Sequence, residues 1–308
     1  MMKTGFITRF ALLFCVSLAA ASGALAAGNQ QTYGTPEDAV GALMTAVKAD
    51  DVKAMRSVLG NAGGALSSGD PVADRAAAQR FVADYDAKHS IVREGDTAKL
   101  VMGKEDFPFA FPLVKTGDRW RFDTAAGIDE LNARRIGENE LDAINVLRAI
   151  VDAQQEYASE SRSGDGVVAY ARKIISSPGK RDGLYWPTKA GEPPSPLGQL
   201  VARASREGYK ADKSGPTAYH GYYYRMLRGQ AKTADTPALD YVVRGRAIGG
   251  FAVVAYPAKY GSAGIMTFIV NQDGKVFQAD LGPQTGEKAG AMQRFDPGKG
   301  WSSVPAAK

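Results

Sequence analysis

The residues best able to do chemistry crowd into positions 218–225 (AYHGYYYR), where His220 stands among Tyr219, Tyr222, Tyr223, Tyr224 and Arg225. An imidazole beside phenols and a guanidinium could act as a general base or form a polar recognition surface. The plainer reading is a strand that turns Tyr222 and Tyr224 into the core while His220 satisfies a loop carbonyl. Asp280, at the end of an otherwise buried run, could join His220 in a hydrolytic pair, or a tyrosine could take that place. As a structural group Asp280 would instead pair with Arg225, Arg244 or Lys259. A Pro- and Gly-rich stretch, residues 183–195 (GLYWPTKAGEPPS), would expose Tyr185 and Trp186 to a protein partner or a glycan, unless the two aromatics cap one end of a core. Tyr185, Trp186, Tyr219, His220, Tyr222, Tyr224 and Arg225 are thus the candidate binding residues, with His220 and Asp280 the only candidate catalytic ones.

Other chemistries lack their residues. The two histidines, His89 and His220, lie far apart, so no helix can present a two-histidine metal face. Asp273, in the turn NQDG, is followed by no further acids at calcium-loop spacing. No phosphate loop, dinucleotide fingerprint or nucleophile elbow occurs, so neither a metal nor a cofactor is expected. The single cysteine, Cys15, sits in an apolar leader; past it the chain has no thiol, hence no disulfide, thiolate site or cysteine nucleophile.

That leader, residues 1–26, reads as a secretory signal peptide. Lys3 and Arg9 give it a positive start, an apolar stretch covers residues 10–21, and Ala24-Leu25-Ala26 puts small residues where a signal peptidase cuts. Phe14 before Cys15 does not suit a lipoprotein signal. Cleavage near Ala26/Ala27 would send the chain to a Gram-negative periplasm or beyond, and the apolar run is short for a membrane span of ~20 residues. The full chain has 38 Lys and Arg against 33 Asp and Glu, a net charge of +5; without Lys3 and Arg9 the balance is 36 to 33, or +3. So small and scattered a surplus does not suit nucleic acid.

The elements that must hold these residues begin with Thr35-Pro36-Glu37, an N-cap, a proline at the first helical position and an acid behind it. Asp50-Asp51 interrupts that helix before a second short one. Residues 60–70 (GNAGGALSSGD) read as loop, and helical spacing returns over residues 74–87. Short strand-like runs then follow, at Ile91-Val92 and residues 98–102, 109–115 and 120–123, separated by the turn sequences EGD, KED and TGD. Acids at 138–140 suggest the start of a helix, and Leu141, Ile144, Leu147, Ile150 and Val151 give it apolar residues on nearly every side, as a core helix needs.

The C-terminal third is organised on residues 249–282. Runs 251–256, 265–270 and 275–281 predict a three-stranded antiparallel meander. Asn271-Gln272-Asp273-Gly274 closes its second hairpin tightly, and residues 257–264 form a longer, looser first connection. Residues 231–238 read as an insertion loop and 302–308 as a frayed tail.

The motifs DTAAGIDELNARRIGENELDAINVLRAIVDAQQEYA, GLYWP, SPLGQLVARA, YHGYYYRMLRGQ, YVVRGRAIGGFAVVAYPAKYG and MTFIVNQDGKVFQADLGPQT resemble domain-of-unknown-function family 2950 (DUF2950), a bacterial exported family. Membership implies export and no particular activity. Two looser likenesses concern shape. The opening helices and meander, residues 27–125, resemble the cystatin-like α+β cone of the NTF2-like superfamily. A long helix followed by GYYYRM, GFAVVAYP and TFIVNQDG, within residues 126–308, is similar to the head of type IV pilins and pseudopilins, whose helix however starts at the extreme N-terminus. The expectation is an α+β protein of two units behind a signal peptide. Its expected role is that of a non-catalytic envelope module for a protein or cell-surface partner, with an envelope-acting hydrolase built on His220 as the competing reading.

Overall fold

The computed structural model describes residues 30–61, 66–162, 166–210, 217–232 and 237–305, so the expected signal peptide, residues 1–26, lies outside the described residues. The chain is α+β. It opens with three helices whose starts are chemically marked: α1 (Pro36–Lys48), α2 (Val52–Leu59) and α3 (Pro71–Ala87). Thr35, Asp51 and Asp70 are their N-caps, each side chain accepting an amide hydrogen from the first turn. The third helix begins at Pro71, earlier than Asp74, because Asp70-Pro71 repeats the cap-and-proline start of the first helix.

An antiparallel sheet follows, made of β1 (His89–Glu94), β2 (Thr97–Met102), β3 (Phe107–Pro108), β4 (Leu113–Thr116) and β5 (Arg119–Phe122), in the order β1-β2-β4-β5 with β3 on β2. Leu43 and Leu59 from the helices meet Leu100, Leu113 and Phe122 from the sheet and Phe111 from the β3–β4 connection, all fully or almost fully buried. Each such side chain contributes on the order of 2 kcal/mol by leaving water.

The element that joins this core to the rest is α4 (Thr124–Tyr157), a helix of 34 residues capped by Asp123. Its start at Thr124 corrects the expected start near residue 138: the first turns pack Ile128 and Leu131 on the N-terminal core, and Gly127 lies against the Phe111 ring. Further along, Ala143, Leu147, Ile150, Val151 and Tyr157 build a second core. The helix is not buried all round as expected of a core helix, since Leu141 is 64% exposed. Among the described residues no helix is long and apolar enough to cross a membrane.

Two short parallel strands, β6 (Lys173–Ile175) and β7 (Gly183–Tyr185), and the helix α5 (Gly198–Glu207) come next. Then follow β8 (Tyr222–Leu227), the two-residue strands β9 (Gly229–Gln230), β10 (Leu239–Asp240), β11 (Val242–Val243) and β12 (Arg246–Ala247), and the long strands β13 (Ala252–Pro257), β14 (Met266–Asn271) and β15 (Phe277–Asp280). The helix α6 (Thr285–Ala291), β16 (Arg294–Phe295) and β17 (Ser302–Ser303) close the described chain. The expected meander is the centre of a five-stranded antiparallel sheet ordered β17-β15-β14-β13-β8. Ser302 and Ser303, expected in a frayed tail, pair with Gln278 and Phe277 as its edge.

Period-two alternation divides that sheet between two cores. Val253, Ala255, Phe268 and Val270 face α4, while Ala252, Val254 and Ile269 face Ala289 of α6 and Phe295. The connection 257–264 is not loose. Ser262 and Ala263 are buried, Asn139 donates to the Ala263 carbonyl at 2.8 Å, and Arg135 donates to Ser262 Oγ at 3.2 Å. Residues 138–140, expected at a helix start, thus sit mid-helix, and Glu140 accepts the amides of Ile265 and Met266 at 2.9 and 3.0 Å. Of the expected insertion loop 231–238, residues 233–236 lie outside the described residues.

Candidate functional site

His220 occupies a hairpin tip. Tyr219 and Tyr222 exchange backbone hydrogen bonds of 2.9 and 3.1 Å, leaving His220 and Gly221 as a two-residue loop with φ of 49° and 73°. Positive φ at both centre positions is what a type I′ turn needs, and it suits Asn-Gly better than His-Gly. Two features hold the less favoured residue there. A Cβ on Gly221 would come within 2.5 Å of Asn139 Nδ2, so the turn lies hard against α4. The imidazole, 19% exposed, is also gripped from two sides.

Its Nδ1 bonds Asp142 Oδ2, and its Nε2 lies 3.0 Å from Glu207 Oε2. Asp142 follows Asn139 by three residues on α4, so the helix that fastens the 257–264 connection also presents this carboxylate. Glu207 ends α5, where Arg203 one turn earlier donates to it at 2.8 Å. Carboxylates only accept, so both contacts are hydrogen bonds when both ring nitrogens carry protons. Burial alone would raise the Glu207 carboxyl; the bonds from His220 and Arg203 outweigh it and hold the group below its ordinary value.

A third carboxylate, Asp70, holds the backbone of the turn. Asp70 is 2% exposed; its Oδ1 accepts the amides of Val72 and Ala73, and its Oδ2 accepts the Tyr209 hydroxyl at 2.8 Å and the Gly221 amide at 3.2 Å. The Tyr209 oxygen in turn accepts the His220 amide at 3.3 Å. Burial, reinforced by Asp70, pushes the Tyr209 phenol far up, while burial and then the Glu207 charge push Tyr219 up to about 12. The Tyr219 ring lies 4.2 Å from the imidazole, centre to centre. Four separate stretches, at Asp70, Asn139–Asp142, Glu207–Tyr209 and Tyr219–Gly221, therefore meet in one closed hydrogen-bonded cluster.

The expected residues fall into three groups. Tyr219 and His220 belong to this cluster. Tyr222 is completely buried and donates to the Met266 carbonyl at 2.9 Å, Tyr224 is half-buried against the α4 core, and Arg225 donates to the Ala289 and Met292 carbonyls. Tyr222 and Tyr224 thus face the core as the plainer reading required, but His220 meets carboxylates where a loop carbonyl was expected. Of the two readings open for the Tyr185-Trp186 pair, Trp186 takes the core one and not the exposed one: it is 6% exposed, its ring packs on Tyr157, and Arg162 and Arg181 stand over it at 5.4 and 5.3 Å. Tyr185, the last residue of β7, is half-buried beside it.

Asp280 does not join His220. It is exposed, and it accepts from the Tyr260 hydroxyl at 3.1 Å and from the Gly282 amide at 2.8 Å. Its expected partner Arg225 is spent on carbonyls. Asp273 completes an ordinary turn with Asn271. No group of three or more His, Cys, Asp or Glu side chains among the described residues is arranged to hold a metal ion.

Sequence reasoning missed Asp70, Asp142, Glu207 and Tyr209. Asp70 carried a legible signal, the Asp-Pro helix start; the others carried none, since they lie 78, 13 and 11 residues from His220.

A family model described as "Protein of unknown function (DUF2950)" matches residues 30–304, nearly every residue described above. The chain belongs to DUF2950. Comparison with curated proteins and with solved structures finds no match, so the likenesses to NTF2-like cones and pilin heads remain likenesses of pattern.

Proposed function

We propose that this DUF2950 protein is an exported, non-catalytic envelope module, two α+β units divided near residue 125, that binds a protein or cell-surface partner. The observation that carries the reading is the occupation of both His220 nitrogens by carboxylates. A general base must offer a ring nitrogen with a free lone pair to the proton it removes, and here Asp142 and Glu207 use both. The cluster therefore works as a rigid mount. The surface it supports is the half-exposed phenol of Tyr219 beside the ion pair of Arg203 and Glu207, groups of the kind that recur in recognition surfaces.

The test has two arms. Cells expressing the full chain are fractionated and the N-terminus of the product is sequenced; a processed form starting near Ala27 in the periplasm or medium is expected, and an unprocessed cytoplasmic product overturns export. A photo-crosslinking residue replacing Tyr219 should then trap a partner that Arg203→Glu releases. Crosslinks indifferent to that change overturn the docking surface.

The hydrolase reading keeps one favourable observation, the Asp142–His220 hydrogen bond, which orients an imidazole as catalytic dyads do. It requires Glu207 to leave Nε2. Glu207→Gln would then raise hydrolysis of ester, amide or glycoside probes and His220→Gln abolish it; the binding reading expects no turnover from either.

A further inference from the structure

At the end of β8 away from His220, Met226, Leu227 and Arg228 border a cleft of about 600 Å³ that the His220 cluster does not use. Ala171-Arg172, Val242 and Ala247 of the β11–β12 hairpin, and Phe251 also line it. The size is that of a small-molecule site. Met226, Leu227, Val242, Ala247 and Phe251 supply an apolar lining, and Leu227, Ala247 and Phe251 are firmly seated in the protein. A second cleft of about 530 Å³ adjoins it and shares Arg172, Met226 and Arg228, so these two arginines stand at the seam of both.

The charge at that seam is not neutralised. Arg172 donates to the Gly245 carbonyl at 2.9 Å, a neutral acceptor. Arg228 has no side-chain hydrogen bond or ion pair among the described residues. Arg225, lining the second cleft, gives its hydrogen bonds to the Ala289 and Met292 carbonyls. Lys173, also on that lining, is paired with Asp182 at 2.9 Å. Asp240, the one carboxylate lining either cleft, is already paired with Arg294 at 2.6 Å. Burial first, and the neighbouring Arg228 charge in part, pull Arg225 below its usual range against an opposing effect of Tyr256, as expected of cations held close without an anion.

Guanidiniums left without a carboxylate beside an apolar trough call for a ligand of two parts. We infer that the cleft between the end of β8 and the β11–β12 hairpin binds a small amphiphile, with its anionic headgroup, a carboxylate or a phosphate ester, on Arg172 and Arg228 and its apolar body along Met226 and Val242. The exposed Val243 and Ile248 continue the apolar surface beyond the trough. This site is independent of the docking surface at Tyr219 and holds whether or not that surface has a partner.

The test is titration of the purified protein with decanoate below its micelle concentration, followed by calorimetry and by amide NMR shifts, with decyl phosphate, decanol, acetate and an acidic peptide as comparison probes. Saturable one-to-one binding of decanoate is expected, with shifts confined to the cleft and no comparable binding of decanol or acetate. Arg228→Gln and Arg172→Gln should each weaken decanoate about tenfold, the worth of one charge-assisted hydrogen bond. Both side chains are exposed, so the fold should survive, and unchanged circular dichroism verifies this. Decyl phosphate binding as tightly as decanoate, or more tightly, also fits, and says which headgroup is preferred. Absence of saturable decanoate binding, equal binding of decanol, indifference to both arginine variants, or an acidic peptide binding as tightly as decanoate would each overturn the assignment.

Discussion

Replacing Asp70 by alanine tests whether one carboxylate holds the two halves of the cluster together. The side chain caps α3 through the Val72 and Ala73 amides, and loss of such a cap costs about 1 kcal/mol. It also accepts from Tyr209 and Gly221, and each donor stranded without its partner costs about 1–3 kcal/mol. The lower half of that range applies to Tyr209, which is only partly buried, so the total is about 3–6 kcal/mol. Asp51→Ala is the internal reference: Asp51 caps α2 through the Ala54 amide alone, at an exposed site, and should cost about 1 kcal/mol. Urea unfolding followed by tryptophan fluorescence reads both cores, because Trp120 lies in the first and Trp186 in the second. In a double-mutant cycle with Tyr209→Phe, the coupling should reach at least about 1 kcal/mol. Asp70→Ala no more costly than Asp51→Ala, or strict additivity with Tyr209→Phe, would refute the reasoning.

Two glycines of α4 should respond to alanine with opposite signs. Gly137 has open space around a built Cβ, so Gly137→Ala should raise stability by about 0.5–1 kcal/mol; at Gly127 the Cβ would fall 2.0 Å from the Phe111 ring, so Gly127→Ala should lower it by about 1–3 kcal/mol despite the same gain in helix propensity. Thermal melts giving the same sign for both would contradict the packing of α4 on the first core. Burial raises the phenols of Tyr209, Tyr219, Tyr222, Tyr224 and Tyr241 above their unfolded value of ~10, so the folded chain keeps protons that the unfolded chain loses. Stability should be intact below pH ~10 and fall as pH climbs toward about 12, where Tyr219 and Tyr241 ionise, with phenolate absorbance rising together with loss of circular dichroism; free titration near pH ~10 in folded protein would count against the cluster. Glu207 has the opposite sign: its folded value is lowered, so its contribution is present above the unfolded value of ~4.3 and fades as pH falls below it. Glu207→Gln should flatten that acid limb of a stability profile, and an unchanged limb would show that the His220 bond is not made in solution.

What the sequence by itself determined is what short-range chemistry controls. Thr35-Pro36 starts a helix because a hydroxyl reaches an amide three residues on and proline's missing N–H is no loss there, and Asp70-Pro71 obeys the same rule. The runs at 251–256 and 265–270 are strands because β-branched and aromatic residues pack on a pleated surface, and the turn after Val270 follows from Asn271 and Gly274. The motifs from GLYWP to MTFIVNQDG sufficed to place the chain in DUF2950.

Tertiary structure alone decided which of these residues meet. Trp186 in a Pro- and Gly-rich stretch could be exposed or cap a core, and packing beside β7, under Arg162 and Arg181, decided for the core. Ser262 and Ala263 look like a loose connection, yet Arg135 and Asn139 of a helix more than a hundred residues earlier tie them down. The sequence left His220 open between a base and a structural group, and its character came from Asp142, Glu207 and Asp70, brought in by three helices whose phases no local spacing encodes. A hydrogen bond between residues 78 or 151 positions apart depends on how whole elements pack, and that is set by the summed burial of the three cores.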